Sequence, residues 1–576
     1  MRRSILILSA IVISASSAGY AQNLTPAQKE ADFRYLASLY STYYAPIDWK
    51  KQLFQFDALA IRPWLDRVAN TTTDLDFYEV CVAYVASLHD THDAFSMWSD
   101  FSANLGFSAD IYDGVVLVDS INRTALPAKD FPFTIGDQLV SVDGRDAGQL
   151  LQDFAVYSAQ GNPGSTNRIA AARITIRPQS RLPHASDVAG KSATVVIKRQ
   201  SGATETYTIP WISSGTPTEV GPVPSPKTAA TAAARRQTAR DKFAADAPDY
   251  MKELLDAQWS GVLNLEDVGL NGYGSRNPLF VNALADAKFT RRLGGNTADF
   301  YYSGTFSYED LTIGYIRIPS YSPTSTTTAL AQFEAEIAYF NANTDGLIVD
   351  EMRNPGGNLC FGENIAARLI PDYFRATGFR LRPFWTRVLG FYNSWIAAKA
   401  AGAPQSVIDQ YEIAYKAMLD ANLKGQTITD SLPLCTSSLT RAPFMDADGN
   451  VLAYKKQIMM LIDEFSTSTA DSVPGMFRDA NRGVLYGMRT NGAGGNNTTF
   501  DAGSYSEGIA GMTLALQVRK DKHLNGDYPY TDLIENTGVW PDLTDDYMTK
   551  DNLLQNGAPF LRNVLQHMAA QIRMFK

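Results

Sequence analysis

The sequence predicts an α+β protein of several domains, and three observations point to this class. The chain has 576 residues, which is more than one hydrophobic core usually supports. Helical spacing of apolar residues dominates residues 22–103, whereas short β-rich runs punctuated by turn residues fill residues 104–212. From residue 311 onward, buried-strand runs alternate with a helical segment, as in an α/β core built on a parallel sheet.

The first residues predict a secretory signal peptide, residues 1–21. A basic start, Met1-Arg-Arg-Ser4, precedes an apolar run at residues 5–13 and a small-residue ending at Ala21. The run is too short to span a bilayer, and no cysteine follows Ala21 to carry a lipid anchor. We therefore expect an exported chain, periplasmic or extracellular, without stable membrane insertion. A buried N-terminal helix is the alternative.

Composition and charge limit the classes of partner that the chain is expected to bind. The net charge is −9, the pI is about 5.2 and no basic stripe is present, so nucleic acid is a poor candidate partner. The three cysteines form neither a disulfide scaffold nor a metal-ligand spacing. In an exported protein Cys360 and Cys435 could pair, which the sequence alone does not determine. At least one thiol would then remain free or pair with another chain.

The N-terminal domain, residues 22–103, reads as helical. Its first helix has a capped start at Thr25-Pro26, with proline at a tolerated early position. The β-rich module, residues 104–212, contains three runs that predict strands: Val115–Val118, Gln138–Val142 and Ala193–Lys198. Residues 213–310 begin with serine, glycine, threonine, proline and alanine, which predicts a linker and cap segment.

The core, residues 311–576, opens with a βαβ order. Strand candidates Ile313–Ile318 and Gly346–Asp350 flank a helical segment, Ala329–Phe340, which implies a parallel strand pair with a crossover helix. An aromatic-rich helical insertion, residues 372–440, then interrupts the sheet. The sheet resumes with the apolar run Ile458–Ile462.

Two of these predicted strands are followed by residues whose chemistry is typical of acyl-transfer sites. One stop is the glycine pair Gly356-Gly357, which can expose backbone N–H groups, and the other is the hydroxyl cluster Ser466–Thr469. Parallel sheets place reactive groups at the carboxyl ends of their strands, so a nucleophilic hydroxyl could face an oxyanion cradle here. Helix capping and a plain tight turn are the competing interpretations of the two segments.

A serine nucleophile needs a base, and the chain has five histidines. His92 belongs to the cluster His89-Asp-Thr-His-Asp93, which also offers mixed nitrogen and oxygen ligands for a metal. A third histidine is absent from this stretch of sequence. A helix-end cap or a surface polar cluster is therefore the simpler alternative to a metal site.

Taken together, these segments resemble the carboxyl-terminal processing (tail-specific) serine peptidases, including the tricorn-type core. Asp350-Glu-Met-Arg-Asn-Pro-Gly-Gly357 is similar to their Asp-Leu-Arg-x-Asn-x-Gly-Gly turn, with Met352 in the usual arginine place. Phe465-Ser-Thr-Ser-Thr-Ala-Asp471 is similar to their Gly-Thr-Ala-Ser-Ala-Ser-Glu segment, which implies a nucleophile at Ser468. Glu535-Asn-Thr-Gly-Val-Trp-Pro-Asp542 looks like their Glu-x-x-Gly-Ile-x-Pro-Asp stretch. The resemblance implies a ClpP/crotonase-like α/β core.

The β-rich module in turn resembles the PDZ domain of these peptidases. Phe133-Thr-Ile-Gly-Asp-Gln-Leu-Val-Ser-Val-Asp-Gly144 is similar to the signature Gly-Asp-x-Ile-x-x-Val-Asn-Gly. The resemblance makes Leu105, Gly106 and Phe107 the candidate carboxylate-binding loop. Such a loop presents backbone N–H groups to a peptide C-terminus while the peptide adds a strand to the sheet.

One departure from the family bears on the mechanism. Many relatives use a serine–lysine dyad with lysine in a Thr-Phe-Gly-Lys-Gly stretch, whereas the matching stretch here, Thr490-Asn-Gly-Ala-Gly494, places Ala493 at the lysine position. The tricorn-type branch instead uses a histidine from an N-terminal segment, which Asp90-Thr-His92 resembles. The resemblance thus implies His92 as the base, Thr91 as the bridging hydroxyl and Glu535 as the acidic member.

The same resemblance implies an oxyanion cradle formed by the backbone N–H groups of Gly357 and Thr469, beside Gly356. It implies no cofactor and no metal, a peptide or protein substrate, and a possible homo-oligomer. A serine endopeptidase is the leading interpretation. A catalytically silent relative that binds peptide or an apolar ligand is the first alternative, and a metal hydrolase using His89, Asp90, His92 and Asp93 is the second.

Overall fold

The computed structural model describes residues 23–218, 247–261, 270 and 272–575, with backbone alone at residues 259–261. The predicted signal peptide and part of the predicted linker lie outside the described residues. Within the described part of the chain, no helix is long and apolar enough to cross a membrane.

The N-terminal domain consists of four helices: α1 (Pro26–Tyr43), α2 (Ile47–Phe54), α3 (Arg62–Ala69) and α4 (Asp74–Ala86). Helix α1 begins as predicted, because Thr25 and Gln28 form a reciprocal capping box with Pro26 in the first turn. Phe33 and Tyr40 of α1 pack with Phe77 of α4 in one buried cluster. This helical layer leads directly into the segment that carries His92.

The β-rich module contains two sheets and two α-helices. The N-terminal domain ends with β1 (Phe95–Ser96). The strands of the β-rich module are β2 (Ser102–Asn104), β3 (Phe107–Tyr112), β4 (Val115–Ile121), β5 (Gln138–Val142), β6 (Arg145–Asp146), β7 (Ile176–Pro178), β8 (Ser192–Lys198), β9 (Thr204–Pro210) and β10 (Ile212–Ser214). Its helices are α5 (Ala147–Ala155) and α6 (Pro163–Thr175). One sheet has the order β3-β4-β5-β8-β9 with β6 beside β5, and a second has the order β10-β2-β7. Strand β5 has the predicted bounds.

Two short helices, α7 (Lys252–Gln258) and α8 (Val281–Asp286), and strand β11 (Trp259–Gly261) precede the core. The core sheet has the order β12-β13-β14-β15-β20-β21-β25. Its strands are β12 (Phe289–Leu293), β13 (Tyr302–Tyr308), β14 (Leu311–Arg317), β15 (Gly346–Asp350), β20 (Gln457–Ile462), β21 (Val484–Gly487) and β25 (Leu543–Thr544). The pairs from β14 to β25 are parallel, so the predicted parallel pair is confirmed.

Helices cover both faces of this sheet. The remaining helices are α9 (Thr326–Asn343), α10 (Leu359–Leu369), α11 (Trp385–Ala400), α12 (Gln405–Leu423), α13 (Thr469–Asp479), α14 (Lys550–Leu554) and α15 (Ala558–Met574). Leu347 and Val349 of β15 pack with α9, α10 and α13, whereas Ile348 packs with α15. This alternation explains why the strand is apolar throughout, since both of its faces are buried.

A second sheet lies beside the core. Its elements and the remaining short strands are β16 (Gly356–Asn358), β17 (Phe374–Arg375), β18 (Gly378–Leu381), β19 (Thr440–Arg441), β22 (Gly495–Asp501), β23 (Ile509–His523) and β24 (Thr531–Leu533). Strand β23 pairs with β1, β18, β22 and β24. It therefore joins the N-terminal domain, the insertion and the core in one sheet. The α+β fold with an N-terminal helical segment, β module, α/β core and helical insertion is confirmed.

A disulfide ties the insertion to the core. Cys360 in α10 bonds to Cys435, with a Cα–Cα distance of 5.2 Å, so the pairing raised by the sequence is confirmed. Cys81 is a buried free thiol. Cys360 lies three residues after Gly357, so the disulfide holds Cys435, in the segment that follows α12, close to the glycine turn.

Candidate active site

Ser468 occupies the turn between β20 and α13, residues 463–468, which we call the nucleophile turn. It is fully buried and adopts φ +64° and ψ −110°, a conformation that costs energy for a residue with a side chain. Its N–H donates to Asp471 Oδ2 at 2.6 Å. A strained serine at a helix N-terminus is a common setting for a nucleophile, because the helix dipole stabilises developing negative charge.

Gly356 lies directly against Ser468. Its φ is +83°, and a Cβ placed on it would lie 2.8 Å from Ser468 Cβ and 2.5 Å from the carbonyl oxygen of Thr467. Only glycine fits this position. The N–H of Gly356 donates to Asn354 Oδ1 at 2.9 Å, so in this arrangement it does not point at a reacting group.

The other two cradle candidates are joined to each other. Thr469 Oγ1 donates to the carbonyl oxygen of Gly357 at 2.9 Å, which holds β16 against the start of α13. Strand β16 also pairs antiparallel with β11, with Ser260 opposite Gly357. A substrate strand that pairs with the same edge of β16 would compete with β11.

The carboxylate of Asp471 accepts hydrogen bonds from the nucleophile turn and from a second loop. The sequence did not identify Asp471 as a site residue. Besides Ser468 N–H, its carboxylate accepts the N–H groups of Gly492 at 2.8 Å and Ala493 at 3.1 Å. Burial raises its pKa to about 6, and these hydrogen bonds oppose the rise. Asp471 therefore links the nucleophile turn to the loop in which the family lysine is replaced by Ala493.

His92 lies in the segment of residues 89–93, which we call the base loop. Its side chain is buried, and among the described residues neither ring nitrogen has a hydrogen-bond partner. The backbone N–H of His92 donates to Asp90 Oδ1 at 2.9 Å. Burial lowers the pKa of His92 to about 4, with Asp90 opposing and Lys50 adding to the shift. The ring is thus neutral at pH 7, as a base requires, but the structure does not bring it into hydrogen-bond contact with Ser468.

Glu535 is buried and contacts a lysine. Its Oε1 accepts from Lys50 Nζ at 2.5 Å, and its Oε2 accepts the N–H of Gly494 at 2.9 Å. Burial raises the pKa of Glu535 to about 8; Asp90 adds to the rise and Lys50 opposes it. In this structure Glu535 is paired with Lys50 and not with His92, so its role toward His92 stays a prediction.

Lys50 is a second residue that sequence reasoning missed. From α2 it also donates to Asn536 Oδ1 at 2.7 Å and to the carbonyl oxygen of His89 at 3.1 Å. Asn536 Nδ2 donates to the same His89 oxygen at 2.7 Å. Lys50 thus joins the base loop to the segment that carries Glu535.

Thr91 contacts neither His92 nor Glu535 through its hydroxyl. Its Oγ1 accepts the N–H of Gly161 at 2.8 Å and donates to Asn491 Oδ1. Its predicted role as the bridging hydroxyl is therefore not seen in this arrangement, and it stays a prediction.

The predicted carboxylate-binding loop is closed on itself. The N–H of Gly106 donates to Asn104 Oδ1 at 3.0 Å, and the N–H of Leu105 donates to the carbonyl oxygen of Thr175 at 3.0 Å. Leu105 and Phe107 are buried. The loop thus satisfies these backbone groups within the module.

Comparisons with known proteins give family matches for two parts of the chain. Residues 312–544 match peptidase family S41, and residues 101–220 match a PDZ domain. Protein CPj1016/CpB1054 of Chlamydia pneumoniae is 22% identical over 95% of this chain and 90% of its own length. An uncharacterized protein of Chlamydia muridarum is 23% identical over 99% of this chain and 97% of its own length.

Among solved structures, mature CPAF complexed with lactacystin superposes with a TM-score of 0.71 at 20% identity, covering 95% of this chain and 99% of that chain. Mature CPAF alone gives a TM-score of 0.72 at 19% identity, covering 95% and 98%. At this level of identity the likeness supports the fold. The two domain matches define a serine-type peptidase with a PDZ domain. Residues 312–544 of the chain form a peptidase family S41 domain.

Proposed function

We propose that the chain is an exported serine endopeptidase that cleaves peptide bonds through an acyl-enzyme on Ser468, with His92 as the general base. One observation carries the proposal: a buried serine in a strained turn at a helix N-terminus lies against a glycine that no other residue can replace. This arrangement suits a hydroxyl that attacks a carbonyl and a cradle that takes up the resulting charge.

In the proposed reaction, His92 accepts the proton of Ser468 as the oxygen attacks the peptide carbonyl carbon. The N–H groups of Gly357 and Thr469 stabilise the oxyanion, and His92 returns the proton to the departing amine. Water then attacks the ester carbonyl carbon. His92 accepts the proton of this water and returns it to the Ser468 oxygen as the ester bond breaks. Since the ring of His92 has no hydrogen bond to Ser468 here, the His92 side chain has to come within hydrogen-bond reach of Ser468 before proton transfer.

We further propose that the PDZ domain recruits substrate C-termini or gates the site. Its contacts support a link to catalysis, because Arg168 of α6 pairs with Asp110 of β3 at 2.7 Å and also with Glu464 of the nucleophile turn. The hydroxyl of Ser165, also on α6, donates to the carbonyl oxygen of Glu464. A shift of α6 would thus reach the nucleophile turn directly.

Reaction with a fluorophosphonate probe tests the proposed nucleophile and base. The wild-type chain is expected to be labelled on Ser468, and Ser468→Ala to take up no label. His92→Ala should lose labelling as well, because the hydroxyl is a weak nucleophile without a base. Mass spectrometry of the labelled peptide identifies the residue. Labelling that survives in His92→Ala would show that another group is the base, and a wild type that resists the probe would favour a silent binding relative.

Export is proposed from the signal-peptide pattern and supported by the Cys360–Cys435 disulfide, which is typical of oxidising compartments. When the full sequence is expressed in a bacterium, the chain outside the cytoplasm is expected to begin at Gln22. N-terminal sequencing of each cell fraction measures this. A chain that keeps Met1 and stays in the cytoplasm would contradict export without bearing on the peptidase chemistry.

A further inference from the structure

Asn491 contacts three separate parts of the chain through one side-chain amide. It is fully buried in the loop that follows β21. Its Nδ2 donates to the carbonyl oxygen of Glu464 at 3.0 Å and to Ser165 Oγ at 3.2 Å, and its Oδ1 accepts from the hydroxyl of Thr91. A single amide therefore connects the nucleophile turn, helix α6 and the base loop.

Each hydrogen bond in this cluster has a fixed direction. Because Thr91 Oγ1 accepts the N–H of Gly161, its own hydrogen is directed to Asn491 Oδ1. Because the hydroxyl of Ser165 donates to the Glu464 carbonyl, it has a lone pair for Asn491 Nδ2. An aspartate has nearly the size of asparagine, but at position 491 it would place an acceptor oxygen against the carbonyl oxygen of Glu464. The side chain at this position therefore has to supply a hydrogen-bond donor as well as fit the space.

The backbone around Asn491 is also fixed. Its N–H donates to the carbonyl oxygen of Ser466 at 2.9 Å, and the next N–H, of Gly492, donates to Asp471. On the other side, a Cβ added to Gly161 would lie 2.7 Å from the carbonyl oxygen of Gly492. The loop therefore cannot shift to compensate for a poor fit of the Asn491 side chain.

We propose that Asn491 is a positioning residue that sets the base loop relative to the nucleophile turn, and that Thr91 acts through Asn491 and not on the reacting atoms. This inference rests on the proposed function of Ser468 and His92. It assigns the Thr91 hydroxyl a different task from the bridging role predicted from the sequence. Misplacing a reacting group by about 1 Å can slow a reaction about 100-fold, so the amide has a measurable influence on rate.

The test is the rate of fluorophosphonate labelling across pH in the full chain, for wild type, Asn491→Asp, Thr91→Val and the double variant. Each single variant is expected to react about 10- to 100-fold more slowly. The double variant should be no slower than the slower single one, since both changes break the same connection. The pH midpoint of Thr91→Val should stay at its wild-type value, because the Thr91 hydroxyl does not contact the ring of His92.

Thr344→Val is the matched control. Thr344 is equally buried and donates to the carbonyl oxygen of Phe340 at 2.7 Å, but it lies before the first residue of β15, at the sheet end opposite the site. It should react at the wild-type rate. Thermal unfolding identifies any variant that does not fold. If Asn491→Asp does not fold, the labelling rate of Thr91→Val decides the test, because valine has nearly the same volume as threonine.

Variants that react at the wild-type rate, additive losses in the double variant, or a shifted pH midpoint in Thr91→Val would each overturn the inference alone. A shifted midpoint would mean that Thr91 acts directly on the base. A wild-type chain that takes up no label on Ser468 would overturn the proposed function and the inference with it.

Discussion

Replacing Lys50 with methionine is expected to lower the free energy of unfolding by about 3–5 kcal/mol at pH 9, because the buried Glu535 carboxyl is then either charged without a partner or has to bind a proton that the unfolded chain does not bind. Lys50 and Glu535 are both buried and their charged atoms lie 2.5 Å apart. The change also removes the donor to Asn536 Oδ1 and to the carbonyl oxygen of His89. Urea unfolding of the two chains measures the difference.

The loss should depend on pH in a definite direction. Lys50 opposes the burial that raises the pKa of Glu535 to about 8, so this pKa rises further in the variant. The folded variant then keeps a proton that the unfolded chain, with a carboxyl pKa near 4.5, releases. Its stability therefore falls as the pH rises, and the deficit should be smaller at pH 5 than at pH 9.

Two controls separate the loss of the buried charge pair from other effects of a lysine-to-methionine change on stability. Lys51→Met, at the neighbouring position, removes an exposed pair with Asp57 and should change stability little. Adding Glu535→Gln to Lys50→Met should recover part of the loss, because the Glu535 carboxyl is gone, although Asp90, whose carboxylate lies 4.0 Å from Lys50 Nζ, still loses its cation. Equal deficits at pH 5 and pH 9, or no recovery in the double variant, would contradict the assignment of a buried ion pair.

The sequence predicted the elements of this fold whose signals are local. Strand β15 has the predicted bounds because a continuous apolar run ends at Asp350. Helix α9 contains the predicted helix, and β14 contains the predicted strand except for Ile318. The capped start at Thr25 is equally local, since its hydrogen bonds span three residues. The position of Ser468, by contrast, came from a family resemblance, because a hydroxyl cluster alone is also a plausible helix cap.

The rest of the candidate site depends on contacts between distant residues. Lys50 and Glu535 are 485 positions apart, and Thr91 and Asn491 are 400 positions apart. No periodicity or motif shows that a lysine on a short helix will be buried against a carboxylate near the C-terminus. For the same reason the sequence could not show that Glu535 pairs with Lys50 or that the Thr91 hydroxyl contacts Asn491.

Replacing Gly356 with alanine is expected to slow labelling of Ser468 about 100-fold or more and to lower the free energy of unfolding by about 1–3 kcal/mol. The new Cβ would lie 2.5 Å from the Thr467 carbonyl oxygen, 2.8 Å from Ser468 Cβ and 3.0 Å from the Thr469 nitrogen. Two of these atoms are backbone, so the nucleophile turn itself has to move. The labelling rate and urea unfolding measure the two effects.

Gly144→Ala separates the effect of backbone strain from that of the clash. Gly144 has φ +75°, close to the +83° of Gly356, but a Cβ there would meet no atom within 4 Å. This control should lose about 1 kcal/mol of stability from the left-handed backbone and label at the wild-type rate. If Gly356→Ala also labels at the wild-type rate, the glycine does not hold the nucleophile turn in its reactive geometry. If both variants label equally slowly, backbone strain far from the site would be enough to lower the labelling rate. The contact between Gly356 and Ser468 would then have no special role.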